Sequence, residues 1–134
     1  MSGLVLKLSP RERVLINGAV IENGERRSRI NIISPNANIL RLRDAIHPEE
    51  ANTPVKRICY ITQLILSGDV KIDVARRQLL TGVEQLSQVF KDPDSREIIA
   101  IATSHLVDAN YYPALKTLRS LLDREERLLA VQAS

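Results

Sequence analysis

The sequence predicts an α+β fold: an N-terminal small antiparallel β-sheet of about five short strands, followed by a C-terminal bundle of about four helices. Three observations predict it. The first third alternates apolar and polar residues with the period of two that a half-buried strand requires. An Asn17-Gly18 pair divides one of these runs, and Asn-Gly supplies the positive φ angles of a two-residue hairpin turn. From His47-Pro48 onward the apolar spacing changes to three and four, the mark of helices with one buried face.

Taken in order, Leu4 to Leu8 is the first strand. Val14-Leu15-Ile16 and Ala19-Val20-Ile21 flank the Asn-Gly turn, and Glu22-Asn23-Gly24-Glu25 is a second turn signal. Ser28 to Ser34 is the next strand, ended by Ser34-Pro35-Asn36, and Ile39 to Arg43 is the last. Short strands joined by short turns suggest a meander or a small barrel-like sheet. Thr53-Pro54 reads as an N-cap with proline at the first helical position. Val55, Ile58, Ile61, Ile65 and Leu66 then share a face, and Ser67-Gly68-Asp69 breaks the helix. Ile72, Ala75, Leu79, Val83, Leu86 and Phe90 mark a second helix. Asp92-Pro93 repeats the cap signal ahead of Ile98, Ala102, Leu106 and Ala109, and Asn110-Tyr111-Tyr112-Pro113 interrupts that third helix. A last helix carries Leu115, Leu118, Leu122 and Leu129 on one stripe. The expected organisation is a basic sheet region over residues 1–46 and a helical region over 47–134, packed as one compact unit.

Composition narrows the function classes. Hydrophobic residues make up 44% of the 134 positions, enough for a packed core rather than a disordered chain. Aromatic residues are only 3%, with no Trp, which argues against a platform that stacks bases. The single Cys59 lies in an apolar run, RICYITQLIL, where a small buried hydrophobe is the default. The start lacks a basic segment followed by a long apolar stretch, and no apolar run is long enough to span a bilayer. The expected location is cytoplasmic, with no membrane partner.

Charge is unevenly placed. From Met1 to Asp44 there are eight basic residues (Lys7, Arg11, Arg13, Arg26, Arg27, Arg29, Arg41, Arg43) against four acidic ones (Glu12, Glu22, Glu25, Asp44), a net of +4. The rest of the chain holds eleven basic and twelve acidic residues, a net of −1. In Leu40-Arg41-Leu42-Arg43, strand alternation would place the leucines on one face and the arginines on the other. Such a sheet buries its apolar side and shows cations to an anion. The candidate anion-contacting residues are therefore Arg11, Arg13, Arg26, Arg27, Arg29, Arg41 and Arg43. A solvated, mixed-charge surface is the plainer reading of the same residues.

Chemistry is otherwise sparse. The five glycines form no phosphate-binding loop. His47 and His105 lack a ligand at motif spacing, and each is more simply a hydrogen-bonded histidine. Glu49-Glu50 fits a linker or a first helical turn, where the helix dipole favours acids. The sequence predicts no catalytic residue, metal or cofactor, and hence no enzyme. The run Asp123-Arg124-Glu125-Glu126-Arg127 reads as a solvated face with ion pairs three and four apart. Leu115, Leu118 and Leu122 are expected in a four-helix core. Leu128 and Leu129, beyond the charged run, are the candidates for a contact between proteins.

Three segments, LVLKLSPRERVLINGAVIENG, SPNANILRLRDAIHPEEANTPVKRICYI and YYPALKTLRSLLDREE, together resemble the FlbT family of alphaproteobacterial flagellin repressors over essentially the whole chain. The resemblance implies a post-transcriptional regulator acting on the 5′ untranslated region of flagellin mRNA, repressing translation or promoting decay, with some relatives acting positively. It also implies a FlaF-type flagellin regulator as a candidate protein partner, and it transfers no catalytic motif and no set of contact residues. The stretch RERVLINGAVI with INIISPNANILRLRDAI also resembles the hairpin and Asn-Ala-Pro region of CsrA-type mRNA regulators, which are intertwined dimers that bind RNA along basic strand edges. Here Ser34-Pro35-Asn36-Ala37 stands in place of that tripeptide, and the helical half has no counterpart there. This second likeness bears on topology alone; flagellin mRNA is the expected partner, and a homo-oligomer is left open. An alternative of a different class is a protein-interaction adaptor or chaperone in flagellar assembly, acting through its helical half.

Overall fold

The computed structural model describes residues 3–133. Five strands come first: β1 (Leu4–Leu8), β2 (Arg13–Ile16), β3 (Ala19–Glu22), β4 (Ser28–Ile32) and β5 (Ile39–Arg41). Two single turns of 3₁₀ helix, Leu42–Asp44 and Pro48–Glu50, lead into α1 (Pro54–Ser67), α2 (Ile72–Val89), α3 (Pro93–Val107), α4 (Tyr111–Arg119) and α5 (Leu122–Ala133). The class is α+β, with five helices rather than four.

The strands do not form a meander. β1 pairs antiparallel with β4 in a two-stranded sheet, and a second sheet has the order β3-β2-β5. Local turn chemistry explains only the β2–β3 hairpin, where Asn17 (φ 48°) and Gly18 (φ 85°) take the conformations of a type I′ turn. The long-range pairings rest on side chains. Asn17 accepts the Asn38 amide on its Oδ1 at 2.9 Å while its own amide donates to the Asn38 carbonyl, which pins β5 beside β2. Asn23 joins the two sheets: its Nδ2 donates to the Ser9 and Arg26 carbonyls, and its Oδ1 accepts from Ser28 Oγ.

The helical half follows its local signals closely. Thr53 caps α1 by accepting the Lys56 amide, and Asp92 caps α3 by accepting the Ser95 amide. At the end of α1, Gly68 (φ 80°) donates to the Ile65 carbonyl and Asp69 to that of Leu64, the paired bonds of a Schellman ending. α3 ends the same way, but with Ala109 in the left-handed position (φ 58°). Arginines also close helix ends, the end of α3 among them. Arg76 of α2 donates to the Leu106 and Val107 carbonyls of α3, and Arg96 of α3 donates to the Ser87 and Phe90 carbonyls at the end of α2.

One hydrophobic cluster runs through both halves, taking Leu6, Leu8, Val14, Ile39 and Leu40 from the sheets and Val55, Cys59, Leu79, Leu86, Leu106, Leu118 and Leu121 from the helices. Burial pushes the Cys59 thiol up to about 12, so it is an inert packing group. The final leucine stripe is not continuous. A break at Ser120 separates α4 from α5 and shifts the phase, so Leu121 is fully buried and Leu122 only half-buried, with Leu115 and Leu118 buried as expected.

Candidate nucleic-acid interface

The arginines expected to act alike fall into two groups. β5 stops at Arg41, and the chain turns into a 3₁₀ helix at Leu42. Leu40 is therefore buried while Leu42 is exposed, and Arg41 and Arg43 do not stand side by side on a strand face. Arg41 lies inward, its side chain 13% exposed, and forms a fork with Glu12: Nε to Oε2 at 2.7 Å and Nη2 to Oε1 at 2.8 Å. The same Nη2 donates to the Lys7 carbonyl, and the Ser9 amide donates to Glu12 Oε1. Glu12 is almost fully enclosed, and the Arg41 hydrogen bonds hold its carboxyl at about 2, well below the usual carboxylate range. This pair locks the end of β1 to β5. Arg43, half exposed, lies 3.6 Å from Glu12 and 4.0 Å from Asp44.

Arg11 and Arg13 are exposed but paired. Arg11 meets Glu25 at 2.8 Å and Glu22 at 3.9 Å, and Arg13 meets Glu22, its cross-strand partner, at 3.0 Å. All four acids of the first 44 residues are thus engaged with Arg11, Arg13, Arg41 and Arg43. Four cations are left over: Lys7, Arg26, Arg27 and Arg29. None has an ion pair or side-chain hydrogen bond among the described residues, and all are exposed. They account for the whole +4 surplus of the segment.

These four are placed by the β1–β4 sheet. Leu6, Leu8 and Ile30 pack inward, so the opposite face carries Val5 and Lys7 on β1 against Asn31 and Arg29 on β4. Lys7 stands directly across from Arg29. Lys7, Arg27 and Arg29 line one shallow cleft of about 430 Å³ with Leu8, Ser9 and Ser28. Arg26 lies in the turn just before β4, its carbonyl held by Asn23. Two like charges opposite each other on neighbouring strands repel, and among the described residues no acid forms an ion pair with either. An anion long enough to touch several of these cations would relieve that repulsion. Lys7 was not separable from the other basic residues by sequence alone. The signal that finds it is the β1–β4 register, which needs the long-range fold.

Residues 4–129 match the family model described as Flagellar protein FlbT. The chain belongs to this family. It is 38% identical over 129 residues to the probable flagellum biosynthesis repressor protein FlbT of Rhodopseudomonas palustris strain TIE-1, covering 95% of this chain and 98% of that protein. The FlbT protein 1 of Bradyrhizobium diazoefficiens, also called a probable flagellum biosynthesis repressor, is 34% identical over 93% of this chain and 84% of its own length. The flagellum biosynthesis repressor protein FlbT of Caulobacter vibrioides strain CB 15 is 27% identical over 94% of this chain and 89% of its own. No solved structure matches the chain. Among the described residues, no helix is long and apolar enough to cross a membrane, and no group of three or more His, Cys, Asp or Glu could hold a metal ion.

In this FlbT-family chain the Asp123–Arg127 run is not a simple solvated face. Glu125 is buried, 3% exposed, and reaches back to the start of α1: it accepts from Thr53 Oγ1 and, at 2.8 Å, from the Val55 amide. Arg124 lies 3.4 Å from Asp92 and 3.2 Å from Ser95 Oγ at the start of α3. α5 thus clamps two helix N-termini. Leu128 packs partly against the core, while Leu129 is exposed.

Proposed function

We propose that this chain is a post-transcriptional regulator of flagellin synthesis. Its β1–β4 outer face would bind the 5′ untranslated region of flagellin mRNA and so repress translation or promote decay. The observation that carries the reading is the Lys7–Arg29 cross-strand pair, flanked by Arg27 in one cleft whose described lining residues include no acid. A polyanion removes the repulsion and releases its own counterions on binding. Arginine forks can take phosphate bidentately and can also read guanine, and Asn31 on the same face offers both a donor and an acceptor to a base edge. The lack of aromatics fits a reader of backbone and base edges rather than a stacking platform. The names of the relatives support the sign of the regulation, and a cytoplasmic location follows from the substrate. A FlaF-type regulator is the protein partner proposed on the resemblance. Leu129 is the position proposed for a contact between chains, since Leu128 is partly taken up by the core.

The test is fluorescence anisotropy on a flagellin leader RNA, repeated across salt concentrations. Replacing Lys7, Arg26, Arg27 and Arg29 by Ala together should reduce the log–log salt slope by roughly three, as expected for four phosphate contacts on a single strand. Circular dichroism should not change. Wild-type affinity and slope in the quadruple variant would remove the assignment.

A further inference from the structure

The helical half carries a second surface that the RNA reading does not use. At Gly82, α2 approaches α1 so closely that an added Cβ would lie 2.8 Å from Ile58 Cγ1. Beside this contact the two helices open a groove of about 460 Å³. Its floor is apolar: Ile58 is buried, Ile61 half-buried and Val74 exposed. Its only charged lining residues are Arg57 and Arg77, and its remaining lining side chains are uncharged. Both arginines are exposed and have no ion pair or side-chain hydrogen bond among the described residues. Arg76, Arg96, Arg119 and Arg124, by contrast, each hold a carbonyl or carboxylate of another element.

We propose that this groove docks an acidic amphipathic helix of a partner protein. Its apolar side chains would lie on Ile61 and Val74, and its flanking Glu or Asp residues would face Arg57 and Arg77. Helix-in-groove recognition needs this combination of an apolar floor and charge on the rim. A nucleic acid backbone would gain nothing from the apolar floor. The surface lies on different elements from the β1–β4 face, so the two can be occupied and tested separately.

The experiment uses the isotope-labelled full chain and two synthetic amphipathic helices of about 18 residues. Both carry leucines at i, i+3, i+4 and i+7. One has glutamates along its flanks and the other lysines. The acidic peptide should bind and move the amide signals of Ile61, Val74 and Gly82, and the basic one should bind at least about tenfold more weakly. The double variant Arg57→Glu/Arg77→Glu, changed at exposed positions, should reverse that order while keeping its circular dichroism. Val74→Glu should abolish binding of the acidic peptide independently. Equal binding of the two peptides, no binding of either, or signals moving only elsewhere would overturn the proposal. So would a short single-stranded RNA that moves the groove amides, or a dimer of the wild-type chain that the double variant dissolves.

Discussion

In the helical half, Arg76, Arg96 and Arg119 point their guanidinium groups at backbone carbonyls, and Arg124 reaches the Asp92 carboxylate. In the sheet half, Arg26, Arg27 and Arg29 have no ion pair or side-chain hydrogen bond among the described residues. The same residue type thus closes element ends at some positions and has no protein partner among the described residues at others, Arg57 and Arg77 of the helical half included. Arg41 shows that sequence position does not decide which use applies. It lies in the basic segment, yet it behaves as the helical arginines do, forked onto Glu12 and bonded to the Lys7 carbonyl. A charge count therefore finds a region, and only the partners of each cation find a surface.

The largest expected effect would break this distinction if it failed. Arg41→Ala leaves Glu12 enclosed and poorly paired, and should cost about 3 kcal/mol of stability, read as a lower urea midpoint. Arg29→Ala should change stability by less than about 0.5 kcal/mol and instead weaken RNA binding. Glu12 adds a pH signature. Its carboxyl is held at about 2, against 4.5 for the free group. The unfolded chain therefore binds the proton first on acidification, so this contribution is complete above pH 4.5 and is lost as the pH falls toward 2. Arg41→Ala should flatten that part of the stability profile. An unchanged profile would mean that the pair does not lock β1 to β5.

A second contrast lies within the charged run of α5. Glu125→Ala strips acceptors from the Val55 amide and the Thr53 hydroxyl at the start of α1. It should cost about 2–3 kcal/mol by chemical denaturation. Its neighbour Glu126 is exposed, and Glu126→Ala should be nearly neutral. Equal effects would return the run to a uniformly solvated face.

These two sites also mark where the sequence stopped being legible. Helix boundaries could be read because their causes are local: Thr53-Pro54, Gly68 and Asp92-Pro93 act on residues within one turn. The Asn17-Gly18 hairpin was readable for the same reason. The pairing of β1 with β4 was not, because it depends on Asn23 reaching across turns to Ser9 and Ser28. The roles of Arg41 and Glu125 depend on partners 29 and 70 residues away, and no spacing rule reaches that far. The break at Ser120 was hidden because Leu115, Leu118 and Leu122, spaced by three and four, fit one uninterrupted helix. Of the candidate site, the basic character of the segment was legible, but the narrowing to Lys7, Arg26, Arg27 and Arg29 required knowing where each acid lies.

The reciprocal caps of α2 and α3 sharpen the comparison at smaller magnitude. Arg76→Ala and Arg96→Ala should each cost about 1 kcal/mol, since each leaves helix-end carbonyls to water rather than burying them unpaired. Neither change should move the salt slope of RNA binding. A slope that falls in either variant would extend the RNA surface onto the helices.

The smallest expected effect has opposite functional consequences in the two halves. Arg11 (φ 62°) and Ala109 (φ 58°) both occupy the left-handed region that glycine tolerates. Arg11 follows Pro10 in a four-residue turn closed by the Glu12 amide on the Ser9 carbonyl, where a type II turn calls for glycine at the third position. Ala109 sits where a helix ending calls for it. Relief of backbone strain at either site exceeds the added chain entropy of glycine, so Arg11→Gly and Ala109→Gly should each stabilise the fold by about 0.5–1 kcal/mol. For Arg11→Gly the gain is offset only slightly by loss of its exposed pair with Glu25. Ala109→Gly should leave RNA binding untouched. Arg11→Gly frees Glu25 and removes one cation of the basic segment, so it should weaken RNA binding while stabilising the protein. Opposite movement of melting temperature and affinity in one variant, beside a melting gain alone in the other, would place the cost of strain at Arg11 on the side of function. Unchanged affinity in both would confine the RNA surface to Lys7, Arg26, Arg27 and Arg29.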